Sequence, residues 1–599
     1  MSSYADRLAA LRDQLKNDRL DGFVVPLTDE HMSEYVGSYA QRLSWLTGFQ
    51  GSAGSAVVLP EEAAIFTDGR YTIQVRQQVS PTEWSYQSVP ETSVAKWLQE
   101  KAPKGARIGY DPWLHTAEWV KQATASLGAK GAELVAVNRN PIDAVWADRP
   151  EPSKARLTVQ PEEFAGKGSA EKRHEMADWL AGQGADAAVL AALDSIAWTF
   201  NVRGADVTHT PVALAFALVH SDGTADLFVE GEKVGDDVRA HLGNGVRLHE
   251  RHEFEPYLKS LSGKLVAVDP ERSVAAISQA LEAGGARILS RRDPAILPKA
   301  VKNPVEVAGH KAAQARDGAA VSRFLKWVEE EGPKGQIDEM IAAERLLGLR
   351  QELGGLKDLS FDTISAFGPN GALPHYNGTA ESNRRFEPGS LYLVDSGGQY
   401  QDGTTDITRT VPIGEPSAEM IDRFTRVLQG HIAIATAIFP KGTRGSQLDS
   451  FARRALWEAG CDYAHGTGHG VGAFLAVHEG PQRISPIGSS QSGGDEPLQP
   501  GMIISNEPGY YKPGEYGIRI ENLVLVVNRP VPGGDKETLG FETLTSVPID
   551  RRLIDVSMLS DRELEWLNDY HSRVLQLIGP QLSGEDRKWL EGQCARLNR

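Results

Sequence analysis

A repeated segment in the second half of this 599-residue chain restricts its fold more than any other pattern. The segment Phe386-Glu-Pro-Gly-Ser-Leu-Tyr-Leu-Val-Asp395-Ser-Gly-Gly returns 112 residues later as Leu498-Gln-Pro-Gly-Met-Ile-Ile-Ser-Asn-Glu507-Pro-Gly-Tyr. Each copy is a Pro-Gly turn, an apolar strand and a terminal carboxylate, followed further on by a second carboxylate, Asp406 or Glu521. A glycine-containing loop separates the two acids of each copy, which predicts two antiparallel hairpins with an acid on both arms. The run 517–527, with its alternating Ile518-Arg-Ile-Glu521 segment, is predicted to be one strand.

Two related hairpins that face each other would bring four carboxylates to one centre: Asp395, Asp406, Glu507 and Glu521. Such a group repels itself strongly unless cations neutralise it, and two divalent ions supply +4 against −4. The alternative is that these acids are ordinary strand-end residues in water. However, Asp395 follows the apolar run 391–394 and Glu521 follows Ile520, and both runs are typical of a core. Because buried acids need a metal or a paired partner, the sequence predicts a dinuclear metal site.

The histidines add to this prediction. Three of the fifteen lie in one glycine-rich stretch: His465, His469 and His478. Glycines flank His469, so the backbone can approach closely and the imidazole is free to meet a ligand. A fourth, His375, follows a Gly-Pro-Asn-Gly turn, and loops of this kind often carry functional residues. His310 and His431 lie on predicted helices, where a surface or core histidine is the better interpretation.

Composition excludes several other classes of protein. Acidic residues outnumber basic ones by 80 to 63, and the formal charge of −17 argues against nucleic acid or an anionic membrane as a partner. With only two cysteines, a disulfide framework or a cysteine-based zinc or iron–sulfur site is not expected. The N-terminus lacks the apolar core of a signal peptide, and the longest apolar run, 211–219, is too short to span a bilayer. We therefore expect a cytoplasmic protein.

Two proline-containing stretches divide the chain. They predict domains 1–152, 153–301 and 302–599, the last with a C-terminal extension from about 547. The first two are similar in pattern, since Trp45-Leu-Thr-Gly-Phe49 returns as Trp198-Thr-Phe-Asn-Val202 between matching apolar strands. Strands interleaved with helical stretches indicate a duplicated α/β module. The third domain opens with a predicted helix that has Asn303 as its cap, Pro304 at its first position and Glu306 in a capping box.

Several motifs carry a family resemblance. In chain order they are Asp395-Ser-Gly-Gly, Thr404-Thr-Asp-Ile-Thr-Arg-Thr410, His465-Gly-Thr-Gly-His-Gly-Val471, Asn506-Glu-Pro-Gly-Tyr510 and Arg519-Ile-Glu-Asn522. This set resembles the pita-bread metallopeptidases (family M24), which include methionine aminopeptidase, prolidase and aminopeptidase P. Trp45–Gly54 and Phe66-Thr-Asp-Gly-Arg-Tyr71 also resemble the long, three-domain Xaa-Pro aminopeptidases. The implied fold is α/β: two creatinase-N-like α/β domains, then an α+β pita-bread domain with pseudo-two-fold symmetry.

The resemblance also implies a metal centre and a substrate. It implies five protein ligands for two divalent ions: Asp395, Asp406, His469, Glu507 and Glu521. Asp406 and Glu521 would bridge the ions, Asp395 would bind one ion, and His469 and Glu507 the other. This oxygen-rich set suits Mn²⁺, with Zn²⁺ or Co²⁺ as alternatives. The expected substrates are peptides with proline at the second position, and the family resemblance suggests a homodimer.

Roles for further residues come from the same resemblance. Glu507 would also act as general base, and Arg519 would orient the carboxylates. His375 and His478 would stabilise the oxyanion and pass a proton to the leaving proline nitrogen. His465 would meet the residue after the cut, or else brace its glycine loop. Arg70 would reach the peptide from the N-terminal domain, or else form a surface ion pair.

Two alternatives to an Xaa-Pro aminopeptidase stay open at this point. Prolidase shares the catalytic residues but accepts only dipeptides, and it typically has one N-terminal domain, whereas about 300 residues precede the catalytic segment here. Some pita-bread proteins have lost the ligands and bind protein partners instead of catalysing a reaction. All five ligand types are present in this sequence, which disfavours that second alternative.

Overall fold

The computed structural model describes residues 3–488 and 493–599, and they form two compact units, Met1–Ile296 and Leu297–Arg599. Among these described residues, no helix combines the length and the apolar character needed to cross a membrane.

The N-terminal unit contains two six-stranded sheets of the same topology. In spatial order the first consists of Ser85–Ser88, Ala63–Thr67, Ser55–Val58, Gly22–Pro26, Arg107–Tyr110 and Glu133–Ala136. The second consists of Val246–His249, Ala225–Phe228, Phe216–His220, Ala187–Leu190, Leu265–Val268 and Arg287–Ser290. In both, the second, third and fourth strands pair antiparallel and all other neighbours pair parallel. This shared topology is that of a duplicated module.

Helices accompany the strands of both modules, as α/β units require. They are Tyr4–Asn17, Arg42–Thr47, Gln74–Gln78, Val94–Lys101, Ala117–Gly128 and Pro141–Val145 in the first, and Glu162–Ala165, Ser169–Gln183, Leu193–Phe200, Asp236–Leu242, Phe254–Lys259 and Ala275–Ala283 in the second. Strand Gly22–Pro26 is buried on both faces, because Phe23 and Val25 pack into one core and Val24 into another.

The C-terminal unit begins with the helix that its cap predicts. Helix Pro304–Glu331 has Asn303 as N-cap, Pro304 at its start and Glu306 completing a capping box, so this prediction is confirmed. The other helices of the unit are Glu339–Leu353, Ala418–Ala435, Gly445–Trp457, Asp561–Ile578 and Gly584–Gln593, with Ile296–Ala300 at the boundary between the units.

Both predicted hairpins are present. The first acidic hairpin pairs Ser390–Ser396 with Ile407–Ile413, and Ile364–Phe367 adds a third strand. The second acidic hairpin pairs Ile503–Asn506 with Asn522–Asn528. It lies within a six-stranded sheet of order Ile438–Pro440, Thr538–Thr543, Asn522–Asn528, Ile503–Asn506, Gly468–Gly470 and Glu479–Ile484.

Each acidic hairpin has its own pair of covering helices, as pseudo-two-fold symmetry requires. Phe324 and Leu346, from the first two helices of the unit, share a core with Tyr392 of the first hairpin. Ile434 and Leu448, from helices Ala418–Ala435 and Gly445–Trp457, share a core with Ile504 of the second hairpin. The duplicated strand pattern therefore corresponds to a duplicated packing unit.

One sequence-based expectation is wrong in detail. The run 517–527 reads as one alternating strand, but it forms two strands that belong to different sheets. Tyr516–Arg519 pairs with Gly509–Lys512, whereas Asn522–Asn528 joins the second acidic hairpin. The chain changes sheet at Ile520 and Glu521, which brings the Glu521 amide to the Thr408 carbonyl at 3.2 Å. In the same unit, Leu356–Leu359, Gly398–Tyr400 and Gly403–Thr404 form a small sheet, and in the N-terminal unit Thr158–Val159 pairs with Val202–Arg203.

Candidate metal centre

Strand register brings the two acids of the first hairpin to one face. Asp395 lies opposite Thr408. Asp406 is two residues before Thr408, and side chains two apart along a strand point the same way. Asp395 and Asp406 therefore share a face, although they are not directly paired.

The second hairpin also brings its two acids close together, but its strands pair in a different register. Asn506 lies opposite Asn522, so Glu507 and Glu521 are the next residues on the two arms. A short strand pair is inserted between the arms of both hairpins, and the spacing between acids is longer here because the pair Gly509–Lys512 and Tyr516–Arg519 is longer than the pair Gly398–Tyr400 and Gly403–Thr404.

The two hairpins place their acids around one histidine. Single ligand atoms of Asp406, His469 and Glu521 all lie within 4.8 Å of one another, and the three side chains are buried. The His469 Nε2 atom is 3.4 Å from Asp406 Oδ2 and 3.5 Å from Glu507 Oε1. These separations exceed a normal hydrogen bond, and they are short enough for the atoms to share a cation.

The hydrogen bond of the second ring nitrogen defines how His469 faces this cluster. Its Nδ1 lies 2.9 Å from the Gly470 carbonyl, which can only accept, so Nδ1 carries the proton. The Nε2 lone pair then points toward the acids, which is the arrangement of a metal-binding imidazole. The His469 amide donates to Ser505 Oγ at 2.9 Å, and that hydroxyl donates to Glu507 Oε1 at 3.0 Å.

Two further side chains hold the carboxylates in place. Arg519 Nη2 donates to Asp395 Oδ2 at 2.6 Å, while Asp395 Oδ1 is buried with no hydrogen-bond partner among the described residues. Thr408 Oγ1 donates to Glu521 Oε2 at 2.7 Å and accepts from Arg519 Nε at 3.0 Å. A buried carboxylate oxygen without a donor fits a metal ligand, so the residues present suit the implied ions.

Burial and mutual repulsion dominate the electrostatics of the cluster. Burial raises the pKa of the Glu507 carboxyl to about 7, and the positive charge of Arg519 opposes this rise. Burial, and then the charge of Asp395, raise the pKa of Asp406 well above its usual range, and burial and the neighbouring acids do the same for Glu521. Burial alone would lower the pKa of Arg519, but the surrounding negative charges raise it. Protons or metal ions must therefore neutralise these acids.

The other predicted site residues of the C-terminal unit lie at different points around the cluster. The His478 ring packs edge-on against the His469 ring, with 4.2 Å between centroids. His465 lies further out, where its Nε2 is 2.7 Å from the Tyr511 hydroxyl. His375 lies in the turn after the short helix Gly368–Ala372, and the backbone of that helix packs against Gly517 on the strand leading to Arg519.

Arg70 lies in the N-terminal unit, where carboxylates bind its guanidinium. Its Nη2 donates to Asp68 Oδ2 at 2.8 Å, and its Nη1 is 3.4 Å from Glu34 Oε1. Only 7% of the residue is exposed, so this ion pair is a buried one, unlike the surface pair considered as the alternative.

Sequence reasoning missed several residues of the site. Tyr511 links His465 to Arg519, because its hydroxyl also accepts from Arg519 Nη1 at 2.6 Å. Ser505 joins the His469 backbone to Glu507, and Thr408 joins Arg519 to Glu521. Thr408 lies in one of the family motifs and directly opposite Asp395, so the register could have pointed to it. Nothing comparable marks Ser505 or Tyr511.

Comparison with protein families accounts for nearly the whole chain. The profile of "Metallopeptidase family M24" matches residues 308–528, and that of "C-terminal region of peptidase_M24" matches 537–597. Two profiles, both described as "Creatinase/Prolidase N-terminal domain", match residues 7–145 and 148–306.

Individual relatives are similar over the same length. "Aminopeptidase P2" of Arabidopsis thaliana is 41% identical over 95% of this chain and 85% of its own. "Probable Xaa-Pro aminopeptidase P" of Coprinopsis cinerea is 40% identical, covering 98% of this chain and 97% of that one. Among solved structures, this chain is similar to the crystal structure of X-prolyl aminopeptidase from Caenorhabditis elegans, which is described as a cytosolic enzyme with a di-nuclear active site. The two structures superpose with a TM-score of 0.94 at 34% sequence identity, and the match covers 100% of both chains.

Proposed function

Since the chain belongs to the Xaa-Pro aminopeptidase P family of M24 metallopeptidases, we propose that it hydrolyses the bond between an N-terminal residue and a following proline. It is a metallo-aminopeptidase with two creatinase-type N-terminal domains and a pita-bread domain. The observation that carries the proposal is the convergence of buried carboxylates on the Nε2 atom of His469. The non-catalytic alternative loses its basis, because it requires a chain that has lost these ligands.

We propose two divalent cations per chain, with Mn²⁺ as the preferred ion, held by the four acids and His469. The X-prolyl aminopeptidase of Caenorhabditis elegans is described as having a di-nuclear active site, and the ligand set here is rich in hard oxygen atoms. Asp406 and Glu521 come from different hairpins and each offers a carboxylate oxygen within 4.8 Å of a His469 ring nitrogen, so both would contribute oxygen ligands to this centre. When bound, such ions act as Lewis acids and lower the pKa of a water that serves as nucleophile.

The protein's own groups would then move protons and orient the substrate. Burial keeps the pKa of Glu507 near neutrality, at about 7, which suits a general base. His478, packed against His469, and His375 would polarise the scissile carbonyl and deliver a proton to the leaving proline nitrogen. Arg519 would hold Asp395 in place, as its 2.6 Å hydrogen bond to that carboxylate indicates.

Substrate contacts beyond the reacting bond are part of the same proposal. His465 would meet the residue after the cut, and its hydrogen bond to Tyr511 connects it to the Arg519 network. Arg70 keeps its proposed role as a peptide contact from the N-terminal unit.

We also propose that the chain is divided into domains 1–152, 153–301 and 302–599, and that a C-terminal extension begins at about 547. The proposed substrates are peptides, and we propose no nucleic-acid or membrane partner.

His375→Ala separates catalysis from metal binding. We expect about two metal ions per chain, as in the wild type, and turnover lower by about 10²-fold, because an oxyanion donor or proton carrier is lost while every proposed ligand stays. Elemental analysis and steady-state kinetics on one tripeptide check this. His174→Ala, at an exposed helix position of the N-terminal unit, is the control and should behave as the wild type. Loss of metal in the His375 variant would instead make His375 a ligand.

The substrate-length test decides between aminopeptidase and prolidase. We expect a tripeptide Xaa-Pro-Xaa to be cleaved at least as fast as the dipeptide Xaa-Pro, with release of the N-terminal residue. Measuring both substrates across a series of Mn²⁺, Zn²⁺ and Co²⁺ also identifies the activating ion. Hydrolysis of dipeptides alone would overturn the proposal in favour of a prolidase.

We further propose a homodimer in the cytosol. Helix Gly445–Trp457 turns Phe451 and Trp457 outward, with 47% and 49% of each exposed, and large aromatic residues on the outer face of an amphipathic helix are typical of protein interfaces. The Caenorhabditis elegans enzyme is described as cytosolic, which supports the location. Light scattering should give a mass twice the 65.1 kDa of one chain, and the mass of a single chain would contradict the dimer.

A further inference from the structure

Arg409 is a buried arginine with a complete set of hydrogen bonds. It belongs to the motif Thr404–Thr410 and lies on the first acidic hairpin, with 2% of the residue exposed. The five N–H donors of its guanidinium are shared among six neutral oxygens, three of them around Nη2: the carbonyls of Thr408, Glu521, Val547 and Pro548, the Asn522 side-chain amide and the Tyr570 hydroxyl. Burial lowers the pKa of Arg409, and the negative charge of Glu521 opposes this.

Half of these acceptors come from the C-terminal segment, which we define as residues 547–599. Arg409 Nη2 donates to the Val547 carbonyl at 2.7 Å and to the Tyr570 hydroxyl at 2.9 Å, and Nε donates to the Pro548 carbonyl at 3.0 Å. Tyr570 in turn donates to the Val547 carbonyl at 2.7 Å. His571 accepts from the Ile549 amide at 3.1 Å, so helix Asp561–Ile578 holds this stretch of chain in position.

The other side of the guanidinium is bound to the Glu521 region. Arg409 Nη1 donates to the Glu521 carbonyl at 2.7 Å, and Nη2 donates to Asn522 Oδ1 at 2.8 Å. The preceding residue, Thr408, donates to the Glu521 carboxylate at 2.7 Å. Neighbouring residues of the first hairpin therefore hold both the backbone and the carboxylate of Glu521, at the point where the chain changes sheet.

We propose that the C-terminal segment is a positioning element of the metal centre. It fixes the guanidinium of Arg409, and that guanidinium fixes Glu521 in the position from which its carboxylate would bind metal. This inference rests on the proposed function, since it takes Glu521 to bind metal. A planar guanidinium can reach six oxygens in three segments only in one orientation, and three of these oxygens belong to Val547, Pro548 and Tyr570.

The test measures metal affinity separately from stability. Metal-free full-length protein is titrated with Mn²⁺ by calorimetry, and its Tm is recorded, for the wild type, Tyr570→Phe, Arg409→Met and Arg409→Lys. We expect Tyr570→Phe to weaken Mn²⁺ binding by about tenfold, or about 1.4 kcal/mol, and Arg409→Met by about 10²-fold or more. Arg409→Lys should restore only part of this loss, because an ammonium cannot reproduce the fork of donors.

Asn568→Ala is the matched structural control. Asn568 lies two residues before Tyr570 on the same helix, and it hydrogen-bonds both backbone groups of Leu597 without contacting Arg409. We expect this variant to lower Tm while Mn²⁺ affinity stays within about twofold of the wild type. Equal loss of affinity in Asn568→Ala and Tyr570→Phe would overturn the proposal, because destabilisation alone would then explain the effect.

Two other outcomes overturn it in distinguishable ways. If the wild type binds two Mn²⁺ ions and Tyr570→Phe binds them equally well, the C-terminal segment only stabilises the fold. If the wild type binds none, or Glu521→Gln binds two with unchanged affinity, the proposed metal centre fails and this inference fails with it. Tyr570→Phe removes a single oxygen atom, so it remains informative even if Arg409→Met does not fold.

Discussion

Asp395→Asn should abolish metal binding at one or both sites and lower kcat/KM by about 10³-fold or more. The substitution keeps the volume but removes one negative charge and the carboxylate oxygen that is buried without a donor among the described residues. It also places an amide against Arg519, whose guanidinium now donates to that carboxylate at 2.6 Å. Loss of an ion removes several kcal/mol of transition-state stabilisation, and each 1.36 kcal/mol is tenfold in rate.

Asp402→Asn is the matched control for this variant. Asp402 lies in the loop between the arms of the same hairpin, and it forms an ion pair with Arg316 at 2.6 Å. We expect this control to keep its full metal content and near-normal turnover, because a partly exposed ion pair contributes little. Elemental analysis, circular dichroism and tripeptide kinetics compare the two variants. Normal turnover with full metal content in Asp395→Asn would refute the ligand assignment.

Removal of the metal should make the stability of the C-terminal unit strongly dependent on pH. Burial raises the pKa of Glu507 from its usual 4.5 to about 7, and it raises the pKa of Asp406 and Glu521 as well. A carboxyl whose pKa is higher in the folded state binds its proton more tightly there. Its contribution to stability is complete below the unfolded pKa and is lost as pH rises through the folded value. We therefore expect the Tm of chelated protein to fall between about pH 5 and about pH 8.

Metal-loaded protein should behave differently over the same range. Bound cations keep the acids ionised, and metal affinity rises with pH because protons no longer compete for the ligands. Chelation should also abolish activity, and added Mn²⁺ should restore it. Scanning calorimetry of both forms across the pH range checks the prediction. Parallel Tm profiles for the chelated and loaded proteins would show that these carboxyls are not coupled to the metal.

Much of the candidate site can be predicted from the sequence because its features are local. The cap of Asn303, the turn before each apolar strand and the carboxylate after it are all short-range patterns, and all three are present in the structure. The glycines around His469 are equally local. The repeat also predicts one long-range contact, because two similar strands that each bury an acid are stable only if a shared cation neutralises both acids.

Other features depend on packing between distant segments. The two hairpins need different registers to align their acids, and the apparently continuous strand before Val527 breaks at Glu521 to join two sheets. The pKa of Glu507 depends on burial and on charges from other strands, so no local pattern reports it.

The sequence by itself determined the residue types of the centre, the two strand–carboxylate units and the family to which they belong. Only the tertiary structure decided which residues hold those units together. Tyr570 meets Arg409 across 161 positions of the chain, and Arg409 meets the Glu521 carbonyl across 112. The physical reason is that a buried guanidinium must satisfy every donor, and the oxygens that do so are mostly backbone carbonyls, which every residue type carries.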